Sequence, residues 1–168
     1  MMNTSDFDPD IRRVAHLMAD AARQVILPYF RRLDLQADNK LGTGFDPVTE
    51  ADRAAERAMR DILAAERPAD GILGEEYGAQ TWVLDPIDGT RGFLSGTPTW
   101  GVLIAVSDAS GPFYGIIDQP YIGERFEGAP DGALLSGPHG SHPLQTRAAR
   151  DLRQSIVFTT FPEVGSSE

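Results

Sequence analysis

The spacing of apolar residues changes once along this chain, near residue 71, and that change restricts the fold more than any other feature. Before it, Ile11, Val14, Ala15, Met18, Ala21, Ala22, Val25 and Tyr29 recur at intervals of three and four. That spacing predicts an amphipathic helix over residues 10–33, with Pro28 a kink near its end. A second stripe, Ala51, Ala55, Ala58, Met59, Ile62 and Leu63, follows Thr49-Glu50-Ala51-Asp52. Those four residues have the form of a capping box, so a helix is expected from Thr49 to Arg67, stopped by Pro68. Asn39, Gly42, Gly44 and Pro47 make the intervening segment a loose hairpin.

After residue 71 the apolar runs are short. They lie at Ile72-Leu73, Trp82–Leu84, Trp100–Val106, Phe113–Ile117, Ala133–Leu135 and Ile156–Thr160, divided by Gly, Pro, Asp and Ser. Two helices followed by a run of strands read as α+β, with two long helices packed on a largely antiparallel sheet. The 168 residues, 41% of them hydrophobic, suffice for one domain with a real core but not for two large ones.

Several function classes are disfavoured. No apolar run approaches the length of a membrane span. The opening MMNTSDFDPD is acidic where a secretory signal is basic and then apolar. Cysteine is absent, which excludes disulfides and thiolate metal sites, and a cytoplasmic location is the expectation. A net charge of −10 argues against a nucleic-acid partner. It would also repel a small phosphorylated molecule at long range, unless a bound cation reversed the local field.

Acidic residues gather at element boundaries. Asp52 lies in the first turn of the second helix, Glu75 and Glu76 follow Ile72-Leu73-Gly74, and Asp85 and Asp88 follow the Trp82 run. Each has an ordinary reading: Asp52 as the capping partner of Thr49, Glu75-Glu76 as a solvated turn, Asp85-Pro86-Ile87-Asp88-Gly89 as good turn formers. Taken together these readings weaken. Two carboxylates about 5 Å apart repel by roughly 3 kcal/mol at an effective dielectric of 20. Protons or a cation must relieve several such pairs, and Mg²⁺ is the natural cation because it takes oxygen ligands and completes its shell with water and phosphate. His16, His139 and His142 are scattered, so zinc is a poor fit.

Gly89-Thr90 suits an anion beside that charge. Glycine lets backbone amides approach closely, and a helix starting there would turn its positive end to a phosphate. The Thr90 hydroxyl could polarise a water if a carboxylate such as Asp52 accepted its proton; an N-cap is the structural alternative. Two look-alike motifs fail. An Asp-x-Asp-Gly-Thr nucleophile loop has one fewer residue between its aspartates, and on a regular strand the extra residue turns the second carboxylate to the opposite face. An EF-hand loop counted from Asp85 has Gly96 where the closing Glu belongs.

Three segments in order, Asp46-Pro47-Val48-Thr49-Glu50-Ala51-Asp52, Gly74-Glu75-Glu76 and Trp82-Val83-Leu84-Asp85-Pro86-Ile87-Asp88-Gly89-Thr90, resemble the Mg²⁺-dependent, Li⁺-sensitive phosphatases typified by inositol monophosphatase. The resemblance implies the first half of the layered α/β sandwich of the sugar-phosphatase superfamily. It implies two or three Mg²⁺ ions, with Glu75, Asp85 and the carbonyl of Ile87 on the first and Asp85 and Asp88 sharing the second. It further implies that Thr90, supported by Asp52, activates the water bound to the metal at Glu75. Asp88 and the amides near Gly89 and Thr90 would hold the substrate. The implied reaction is hydrolysis of a phosphate monoester in a small metabolite, by a homodimer. Arg91-Gly92-Phe93 and Gly115-Ile116-Ile117-Asp118-Gln119-Pro120, continuing to Glu124-Arg125-Phe126, are similar to the histidinol-phosphatase branch, which implies histidinol phosphate. Inositol 1-phosphate and 3′-phosphonucleotides are the alternatives.

The family's second half, with its Trp-Asp motif, has no counterpart here: Trp82 precedes Val83 and Trp100 precedes Gly101. Residues 1–150 are therefore expected to form the N-terminal metal- and phosphate-binding domain, with 151–168 the opening strand of a second domain. A non-catalytic metal- or phosphate-binding module, or a subunit completed by another polypeptide, is the expectation from a different class.

Overall fold

A computed structural model describes residues 7–39, 47–72, 80–148 and 151–156. Helix α1 spans Pro9–Ile26 and α2 spans Glu50–Glu66, and both starts are fixed by local chemistry. At α1 the Asp8 carboxylate accepts from the amide of Asp10 at 2.9 Å, and proline stands in the first turn, where its missing N–H costs nothing. At α2 the capping box forms as the sequence predicts. The Thr49 amide donates to Asp52 Oδ2 at 2.7 Å, and the Ala51 amide donates to Thr49 Oγ1 at 3.1 Å. The first helix is shorter than its periodicity suggests. It gives way at Leu27–Tyr29 to a 3₁₀ turn that contains Pro28.

A two-stranded hairpin, β1 (Ala37–Asn39) and β2 (Pro47–Thr49), connects the helices. Among the described residues the main sheet has seven strands in the order β3 (Gly71–Ile72), β4 (Thr81–Asp88), β5 (Gly101–Asp108), β6 (Gly111–Gln119), β7 (Glu124–Ala129), β8 (Gly132–Gly137) and β9 (Gly140–Leu144). Only β3–β4 is parallel, because β5 to β9 form a meander through short turns. Strands β7 and β9 have little apolar character and were not expected. Of the strand expected at Ile156–Thr160, Ile156 is irregular and the rest lies outside the described residues.

Both helices lie on one face of the sheet. Ile11, Val14, Met18 and Ile26 of α1 and Met59 and Leu63 of α2 bury themselves against Trp82, Val102, Ile104, Val106 and Ile116. A polar layer runs beside this core. Asp118 is fully buried and accepts from Arg23 Nη2 at 2.6 Å and Arg125 Nε at 2.8 Å. His16 meets Glu127 at 2.6 Å and Arg125 at 2.9 Å. Removing one partner from such a group leaves an uncompensated buried charge, a loss of about 3–5 kcal/mol.

The other face of the sheet is uncovered among the described residues. Val83, Leu103, Ala105, Ile117 and Phe126 line a shallow apolar hollow of about 620 Å³, and Ile117 keeps 51% of its surface exposed. Asp85 stands at the rim of that hollow.

Candidate functional site

The opposite-face expectation for the two aspartates is corrected by a β-bulge. Asp85 pairs with Leu103 and Asp88 with Gly101, so three steps on β4 match two steps on β5. Leu103 and Gly101 are two apart and share a face, and their partners share it too. Exposure agrees: Trp82 and Ile87 are buried towards the helices, whereas Val83, Asp85 and Asp88 are exposed. The sequence signal was Pro86. Proline cannot donate to a ladder and sits in sheets at edges or bulges, so its presence inside a strand already indicated a break in register.

The chain then turns sharply. Gly89 adopts φ +83°, and a Cβ there would lie 2.7 Å from the carbonyl oxygen of Thr99, so both the dihedral and the close approach require glycine. Helix α3 (Thr90–Ser95) follows. Its Thr90 hydroxyl donates to the Ile87 carbonyl at 2.9 Å, which closes the turn around the bulge. Gly92 allows a second close approach, since its Cβ would meet Thr99 O and Oγ1 at 3.0 Å. Phe93 is buried against Phe30 and Trp100, with ring centroids 5.4 and 4.9 Å away, and anchors α3 to the core. Aromatic pairs of this kind contribute about 0.5–1.5 kcal/mol beyond their burial.

Asp52 approaches from the other motif. It is 8% exposed, and its Oδ2 accepts from both the amide and the hydroxyl of Thr49, the latter at 2.5 Å. Strand β2 and α3 touch, so the start of α2 and the Gly89–Ser95 segment are neighbours. The Thr90 and Asp52 side chains are each engaged locally, Thr90 with Ile87 and Asp52 with Thr49. Glu75, the remaining expected ligand, lies outside the described residues.

The donors present are all oxygens: two carboxylates on one face and, between them, the Ile87 carbonyl. A carbonyl has two lone pairs, so the bond from Thr90 leaves one available. This chemistry fits a hard divalent cation and not a nitrogen- or sulfur-seeking one. Among the described residues no group of three His, Cys, Asp or Glu side chains is arranged to hold a metal ion, so the described part of the site supplies a partial ligand set.

Two segments singled out in the sequence have structural work. Arg125 is taken up by Asp118, Asp20 and His16, and Gly92-Phe93 seats α3. Neither arrangement by itself selects a substrate. No helix among the described residues is long and apolar enough to cross a membrane.

The histidinol-phosphatase of Streptomyces coelicolor is 37% identical over 156 residues, covering 84% of this chain and 58% of that protein. The inositol-1-monophosphatase of Mycobacterium leprae is 37% identical over 131 residues, covering 71% and 45%. Among solved structures, an inositol monophosphatase from Zymomonas mobilis superposes with a TM-score of 0.70 and 42% identity, over 84% of this chain and 54% of that one. The chain thus spans about half the length of the relatives it matches. The model of the inositol monophosphatase family matches residues 9–167. With the bulged Asp85–Asp88 turn and its Gly89-Thr90 continuation in place, the chain belongs to that family.

Proposed function

We propose that this chain carries the metal- and phosphate-binding half of a Mg²⁺-dependent phosphate monoester hydrolase that acts on a small phosphorylated metabolite, histidinol phosphate first. The observation that carries the reading is the bulge, which aims Asp85 and Asp88 to one side immediately before the Gly89 turn. The histidinol-phosphatase relatives, at 37 and 38% identity, support the substrate. Inositol 1-phosphate is the alternative, as the M. leprae relative's name suggests.

In this reading Asp85, Asp88, the Ile87 carbonyl and Glu75 hold two or three Mg²⁺ ions. Bound there, the ions supply Lewis acidity, a more acidic water and charge neutralisation at the phosphoryl oxygens. The remaining work belongs to the chain. Amides at Gly89 and Thr90 orient the phosphate. With its hydrogen on Ile87, Thr90 Oγ1 keeps its lone pairs to accept from a water and fix its position. To take a proton from that water, Thr90 Oγ1 must give its own hydroxyl proton to Asp52, which requires the hydroxyl to rotate away from Ile87. Residues 1–150 form this unit and residues 151–168 open a further one; the assembly is a cytoplasmic homodimer.

The test is phosphate release from histidinol phosphate, inositol 1-phosphate and 3′-AMP, each with Mg²⁺ and again with EDTA. Metal-dependent release from histidinol phosphate supports the reading, and preference for another substrate changes the branch. A second reading, a subunit completed by another polypeptide, is favoured by the face of Val83, Leu103 and Ile117 that the described residues leave uncovered. Sedimentation of the 168-residue chain separates the two. The chain by itself, sedimenting as a homodimer and turning over substrate with Mg²⁺, removes the need for another polypeptide; an inactive monomer favours one.

A further inference from the structure

Arg31 is the only non-glycine described residue with positive φ, at +64°. A long side chain in that conformation is costly, and such outliers persist where the surroundings over-determine them. Here the surroundings are specific. Arg31 Nε donates to the carbonyl of Gly96 at 3.0 Å, and Nη1 donates to the Tyr121 hydroxyl at 2.7 Å. The guanidinium also lies over the rings of Phe30 and Tyr121, 5.0 and 4.6 Å from their centroids.

Gly96 is the C-cap of α3, in the left-handed conformation. Its carbonyl has no onward helical partner, so a cation there satisfies the end of the segment and complements its charge. Phe30, the neighbour of Arg31, packs on Phe93 and Trp100. One short stretch of chain therefore grips α3 twice, through a ring in its middle and a carbonyl at its end. The other end of α3 is Thr90, which closes the bulge at Ile87.

We propose that Arg31 is a positioning residue. It fixes the far end of the Gly89–Gly96 segment and thereby holds Thr90 and the Gly89 turn in register with Asp85 and Asp88. Its importance to turnover rests on the hydrolase reading above; its hold on the segment does not. A planar fork with two donors serves two acceptors at once, which a lysine ammonium on a flexible stem does poorly.

The experiment compares wild type with Arg31→Gly and Arg31→Lys. Glycine removes the side chain while relieving the left-handed backbone, so the midpoint of thermal unfolding should stay within about 4 °C. Amide exchange of Phe93, Gly96 and Thr97, whose N–H groups bond within the segment, should speed about tenfold, as loss of one or two net hydrogen bonds allows. In the Mg²⁺ assay kcat should fall by a similar factor with KM little changed, and Arg31→Lys should restore neither readout fully. Unchanged exchange in Arg31→Gly overturns the proposal. Faster exchange with unchanged turnover overturns the role in the reaction. If wild type shows no Mg²⁺-dependent turnover, the hydrolase reading fails, while exchange still decides whether Arg31 holds the segment.

Discussion

Asp85 and Asp88 emerge on the same face of β4 although two residues separate them, because the register against Leu103 and Gly101 slips by one residue at Pro86-Ile87. A regular strand would have sent one carboxylate into the helix-covered core, where an isolated charge is very costly. The bulge instead leaves both exposed and adjacent to a turn that only glycine can make.

Asp88→Asn should lower Mg²⁺-dependent turnover about 100-fold or more, since it removes a carboxylate proposed to be shared between metals. Asp88 is exposed, so the unfolding midpoint in urea should barely change. Turnover equal to wild type would remove the metal-bridging role.

Glycine is required at position 89 for two reasons that can be separated. Gly111 has φ +119° and open space where a Cβ would stand, with nothing within 4 Å, so Gly111→Ala reports the dihedral alone, a loss of about 1 kcal/mol. Gly89→Ala adds the 2.7 Å approach to Thr99 O and should lose about 1–3 kcal/mol more. Urea unfolding of the two variants measures the difference, and equal losses would show that Thr99 moves aside freely.

Thr49 and Asp52 can be told apart in the same manner. Thr49→Ala removes the cap, and stability should drop by about 1 kcal/mol. Asp52→Asn keeps an oxygen that accepts from the Thr49 amide, so the fold should persist while turnover falls. If Asp52→Asn loses only stability, Asp52 is a cap and nothing more.

Tyr114 sets an alkaline limit. Among the described residues its buried hydroxyl meets no partner with hydrogen-bond geometry, and burial, then the nearby Glu127 carboxylate, pushes its pKa well above the usual tyrosine value. The folded state therefore holds this proton more tightly than the unfolded state. The resulting stability is fully present below the unfolded pKa of about 10 and is lost as pH rises towards the folded value. Absorbance titration should show Tyr114 ionising only as the chain unfolds. Tyr114→Phe should remove that part of the pH dependence. At neutral pH it should be neutral or stabilising by about 1 kcal/mol, since it deletes an unsatisfied hydroxyl.

The features legible in the sequence are those encoded over a few neighbouring residues. Helical spacing placed α1 and α2, Thr49 and Asp52 announced the capping box, and the apolar runs at Trp82 and Trp100 marked β4 and β5. Family membership was legible for the same reason, because its motifs are contiguous. Tertiary structure decided the rest. Strands β7 and β9 are held by ladders to β6 and β8, and Arg125 and Glu127 bond back to α1, so their polar composition concealed them. Local period said that Asp85 and Asp88 oppose each other, and the slip against β5 brought them to one face. Nothing in the local sequence marks Arg31, whose acceptors Gly96 and Tyr121 lie far along the chain. Local sequence determines which elements form, because helix caps and side-chain periods act within one or two turns. Which carboxylates meet, and what holds them, depends on partners tens of residues away.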